Sequence, residues 1–132
     1  MKPATKEWIT FAEEDLLAAK RLSGDPRLTN IAAFHCQQCL EKCFKAVLEE
    51  VELPVIKSHD LIKLRSLSEI PMTIDEIRIL RVLNEVYIDS RYPGDLGLLP
   101  DGKPAISEVD VFIAIASSVL EKILAVNLRS PE

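Results

Sequence analysis

The chain is expected to fold as an all-α domain: an antiparallel four-helix bundle (up-down-up-down) with one extra short helix. Three observations carry that expectation. Apolar residues recur at helical spacing in five stretches. Those stretches are bounded by capping residues, Gly or Pro. No segment shows the two-residue alternation of a half-buried strand.

The first helix is read from Thr5, as N-cap, to Leu22, with Trp8, Ala12, Leu16 and Ala19 facing inward and Glu13, Glu14 and Lys20 outward. Gly24 and Pro26 in "SGDPR" stop it. The second starts at Thr29 or Asn30 and reaches about Glu52, before Pro54. A short third helix follows Ser58, read as its cap. Pro71 separates it from a fourth that opens with "TIDE", a capping box in which Thr73 and Glu76 exchange hydrogen bonds. Ile77, Leu80, Leu83 and Tyr87 form the fourth helix's apolar stripe. The segment "SRYPGDLGLLPDGKPAI" has three prolines and three glycines in 17 residues and is read as an irregular loop. The fifth helix begins at "SEVD" (Ser107 to Asp110) and continues to Val126.

A length of 132 residues suits one domain, residues 1–132, with a real core. Hydrophobic residues at 48% and charged residues at 28% are a globular balance. The net charge of −5 argues against a global surface for nucleic-acid backbones. The acidic N-terminal stretch does not resemble a secretory signal, and no apolar run reaches membrane-spanning length. Three clustered cysteines fit a reducing compartment, so a cytoplasmic protein without a membrane association is expected.

All three cysteines lie in "FHCQQCLEKCFKAVLEE", immediately after His35. With Ile31 as origin, Cys36, Cys39 and Cys43 fall at about 140°, 80° and 120° around the helix. They share a face with Ala32, Ala46 and Val47, which reads as a helix-packing seam. A tetrahedral metal needs ligands that one straight helix does not present, so neither metal nor other cofactor is assigned. Gln38, Glu41, Lys42, Lys45 and Glu49 occupy the arc from about 280° through zero to about 20°, with His35 at its edge. The simplest reading of this stripe is a solvated face, with Glu41 and Lys45 as an i,i+4 pair. The alternative is that its two cations, amide and imidazole bind a phosphate and a base.

Together, "WITFAEEDLLAAKRL", "AFHCQQCLEKCFKAVLE", "KSHDLIKL" and "VYIDSRYPGD" make the chain resemble the HEPN domain family (higher eukaryotes and prokaryotes nucleotide-binding) over most of residues 8 to 95. The resemblance implies a helical bundle, a homodimer, and a prokaryotic two-gene setting of toxin–antitoxin type beside a small nucleotidyltransferase-type partner. Some members of the family are metal-independent ribonucleases marked by Arg-x4-6-His; others bind nucleotides or proteins without cutting. This chain departs from the ribonuclease pattern. No histidine follows Arg91, and seven residues separate Arg27 from His35.

The nucleotide-binding candidates are therefore Gln38, Lys42, Lys45, His59, Arg91 and Tyr92, with His59 as the sole catalytic candidate. Adjacent helical residues point about 100° apart, so Asp60 is poorly placed to orient His59 and better suited to the start of a helix. Arg91 could clamp a phosphate and Tyr92 stack on a base. In the structural reading, Arg91 pairs with an acid and Tyr92 packs on the end of the bundle. Three function classes follow: a non-catalytic nucleotide-binding domain, an interaction or dimerisation module without ligand, and a ribonuclease with a spatially assembled site acting on RNA.

Overall fold

Pro3 opens α1 (Pro3–Leu22), where its missing N–H and fixed φ cost nothing. The computed structural model describes the backbone of residues 1–91 and 102–129, and the side chains of residues 1–87 and 102–126. Its other helices are α2 (Thr29–Glu50), α3 (Leu61–Ser68), α4 (Ile74–Arg91) and α5 (Ile106–Arg129). Among the described residues there is no strand. The all-α expectation holds.

The caps show how locally these helices are encoded. Glu76 N–H donates to Thr73 Oγ1 at 3.1 Å, and Thr73 N–H donates to the Glu76 carboxylate at 2.8 Å, as the capping box requires. Three expected caps are corrected. Thr5 is not an N-cap, because α1 starts at Pro3; it is buried, and its hydroxyl donates to Glu50 at 2.9 Å. α3 is capped by Asp60, whose carboxylate accepts the Ile62 and Lys63 amides, whereas Ser58 accepts the Asp60 amide one step earlier. α5 starts one residue before Ser107, with the Glu108 carboxylate accepting the Ala105 amide at 2.9 Å.

End-to-end contacts give the topology. Lys2 and Thr5, at the start of α1, bond Glu49 and Glu50 at the end of α2, so these helices are antiparallel. Lys122, late in α5, donates to the Pro71 carbonyl just before α4. At the opposite end, Lys103, before α5, donates to the Arg27 carbonyl before α2. Helices α1, α2, α4 and α5 therefore run up, down, up, down. The chain after α2 returns part-way up the bundle, bringing His59 beside Gln37 and Glu41, and α3 descends again to set Ile70 and Pro71 near Val47 and Glu50.

α2 packs against all four other helices. It buries 13 of its 22 residues, which requires burial on more than one face. Cys36, Cys39 and Cys43 are fully buried beside Ala32, Leu40, Phe44 and Ala46. They are the expected seam. Burial first, and then the neighbouring Cys39, push the Cys36 thiol up to about 12. No helix among the described residues is long and apolar enough to cross a membrane.

Candidate functional site

The polar stripe of α2 is not a freely solvated face. This corrects the simplest sequence reading: of the stripe, the side chains of Glu41 and Lys45 are only 6% and 8% exposed and Gln38, Lys42 and Glu49 are half-buried, while Gln37 beside them is fully buried. α1 covers the stripe with Trp8, Phe11 and Asp15, because antiparallel packing sets these residues against Lys45, Lys42 and His35. The ammonium groups of Lys42 and Lys45 lie 5.9 and 5.8 Å from the ring centroids of Phe11 and Trp8.

Two carboxylates organise this layer. Asp15 receives Lys42 on one oxygen and His35 Nδ1, at 2.9 Å, on the other. Glu41 receives Lys45 at 3.0 Å on Oε2, and His59 Nδ1 at 2.9 Å on Oε1. Gln37 also donates to Glu41 Oε1, at 3.3 Å, and to the His59 carbonyl, at 3.2 Å; Gln38 donates to Gln37 at 2.6 Å. The lysines taken from the sequence as anion ligands are thus already paired, and Lys45 is buried as well. Gln38 belongs to the same internal network.

His59 is different. Its side chain is 53% exposed, and Glu41 can only accept, so Nδ1 carries the proton of that bond. In the uncharged ring this leaves Nε2 as an acceptor, with no partner among the described residues. The orienting acid is Glu41, 18 residues away in sequence, and not the adjacent Asp60. Asp60 is engaged instead in capping α3.

The His59 ring stacks on Tyr87 at 4.5 Å between centroids and 24° between planes, and Tyr87 stacks in turn near Phe34 at 6.1 Å and 15°. His59, Asp60, Asn84 and Tyr87 line an open cleft of about 310 Å³. Asn84 braces its floor, accepting the Leu61 amide at 2.9 Å and donating to Asp60 Oδ1 at 3.0 Å. Tyr87 and Asn84 escaped the sequence reading as site residues. Their signal was only their place on α4, three residues apart, since Tyr87 also fitted the apolar stripe. Arg91 lies one helical turn after Tyr87 in α4, but its side chain, like the whole of Tyr92, is outside the described residues.

Among the described residues no group of three or more His, Cys, Asp or Glu side chains is arranged to hold a metal ion. The chemistry on offer is an aromatic surface with an oriented imidazole and a carboxylate at its edge.

Residues 5–126 match the HEPN domain family. An archaeal HEPN homologue of known crystal structure is 25% identical, with 95% of this chain and 98% of that one covered and a TM-score of 0.71. A Thermus thermophilus protein of known crystal structure is 22% identical, with 94% and 98% covered and a TM-score of 0.75. No curated protein is significantly similar in sequence.

Proposed function

The chain belongs to the HEPN domain family, and on that premise we propose that it is a non-catalytic nucleotide-binding domain whose site is the cleft at His59 and Tyr87. The observation that carries this reading is the His59 ring, held by Glu41 and stacked on Tyr87 at the mouth of an open cleft. An aromatic face beside oriented polar groups suits a nucleobase. Arg91 is the last residue of α4 and Tyr92 is the next in sequence, and in this proposal they supply the phosphate contact and further stacking. Lys45, and Gln38 through Gln37, serve as the support that keeps Glu41 and His59 in place, whereas Lys42 is paired with Asp15 apart from the cleft. The pairing with a small nucleotidyltransferase-type protein, the two-gene setting and the homodimer rest on the family resemblance, and co-purification with a co-expressed neighbour tests the first.

A thermal-shift panel of nucleoside mono- and triphosphates tests the site, because a ligand of the folded form raises the melting temperature once it exceeds its Kd. The expected result is a selective rise that is lost in His59→Ala and kept in Lys42→Ala. A rise unaffected by His59→Ala would remove the cleft from the proposal, and a flat panel would remove nucleotide binding.

One observation favours the ribonuclease reading as a second choice. A carboxylate-held imidazole with its other nitrogen outward is also how a general base is presented. RNA incubated with the protein and a chelator should then be cut, and the cutting should stop in His59→Ala. Intact RNA counts against it.

A further inference from the structure

The hydrogen-bonding inventory of the cleft limits what it can recognise. Asn84 is largely engaged: its oxygen accepts from Leu61 and one of its two N–H groups donates to Asp60 Oδ1, which leaves one amide N–H. Asp60 Oδ1 is also occupied by the Ile62 and Lys63 amides. Its second oxygen, Oδ2, has no partner among the described residues. The same is true of His59 Nε2, which is an acceptor when Nδ1–H is given to Glu41. The open groups that His59 and Asp60 bring to the cleft are therefore acceptors, one of them a carboxylate oxygen, and Asn84 adds a single N–H beside them.

We infer that the cleft reads amino groups: it selects nucleobases that carry an exocyclic amine over their keto counterparts. The inference rests on the nucleotide-binding reading above and adds the base class. An exocyclic NH₂ donates to Asp60 Oδ2 or His59 Nε2. A ring carbonyl at the same place sets acceptor against acceptor, losing the bond and leaving both groups desolvated. Asp60 cannot relax this preference by turning over, because three donors hold Oδ1 in place.

The test compares ATP with ITP, and CTP with UTP, by calorimetric titration. Each pair differs in an amine replaced by a carbonyl, with a proton gained by the adjacent ring nitrogen, while sugar and phosphates are kept. A hydrogen bond to a charged group is worth enough to give the amino forms an advantage of about ten- to a hundredfold. Asp60→Asn supplies the decisive variant. Asn caps a helix as well as Asp does, so α3 should survive, which circular dichroism checks. The three donors at Oδ1 keep the amide oxygen in that position, which turns the new NH₂ toward the cleft. The preference should then vanish or invert in favour of ITP and UTP.

Equal affinities within each pair for the unaltered protein would overturn this inference and leave nucleotide binding standing. So would an amino preference that Asp60→Asn leaves unchanged. No binding by any of the four nucleotides would overturn the nucleotide-binding reading, and the inference with it.

Discussion

Glu41 ties together one side of α2, since one carboxylate meets a lysine, an imidazole and a buried amide. At 6% exposure it has little water to replace those partners. Removing it strands the Lys45 ammonium, itself 8% exposed, beside Trp8. Breaking a buried pair from one side leaves an uncompensated charge, so Glu41→Ala is expected to cost about 3 kcal/mol in urea unfolding. The exposed pair of Arg78 and Asp75 gives the contrast, because solvent screens it; Arg78→Ala should stay within about 0.5 kcal/mol. Equal losses in the two variants would contradict the burial of the α2 stripe. The i,i+4 spacing of Glu41 and Lys45 was legible in the sequence, and so was the unsuitability of Asp60 as a partner for His59. That Glu41 also orients His59 was not legible, because nothing local in the chain connects the two residues.

The short elements show two local choices that substitution can expose. The reciprocal bonds of Thr73 and Glu76 satisfy two amides at the start of α4, so Thr73→Ala should cost about 1 kcal/mol. α3 ends on Glu69, an exposed residue in the left-handed region with φ 59°. A Cβ there is strained, and Glu69→Gly should raise stability by up to about 1 kcal/mol, read as a shift of the denaturation midpoint. The junction of α1 and α2 carries a pH dependence. The Lys2 amide, above all, holds the Glu50 carboxyl below its ordinary 4.5; the Thr5 hydroxyl and the Lys2 charge add to this, and burial opposes it. A carboxyl depressed in the folded state stabilises the fold above that ordinary value, and the contribution is lost as pH falls through the lower folded value. Glu50→Gln should therefore be less stable at neutral pH and lose less on acidification below about 4.5. An acid limb identical to that of the unaltered protein would show that this junction does not matter to stability.

Across the whole molecule, the three thiols report on the integrity of the core. All are buried, and the thiolate is the reactive form. The Cys43 thiol is raised well above its usual range, first by its hydrogen bond with Cys39 and next by burial. A thiol reagent at neutral pH should leave all three unmodified in the native protein and label all three in denaturant. Rapid native labelling would mean that the seam between the helices opens far more readily than the packing implies. The number and order of the helices, the Thr73–Glu76 box and the cysteine seam were determined by the sequence alone, because periodicity and capping are settled within a turn or two of the chain. The fate of the α2 polar stripe was decided only by tertiary structure. Read alone, those side chains describe a wet surface. Laid under Trp8, Phe11 and Asp15 of α1, they become an internal network that holds His59 against Tyr87. Which helix covers which face depends on packing across the bundle, and no local pattern in α2 carries that information.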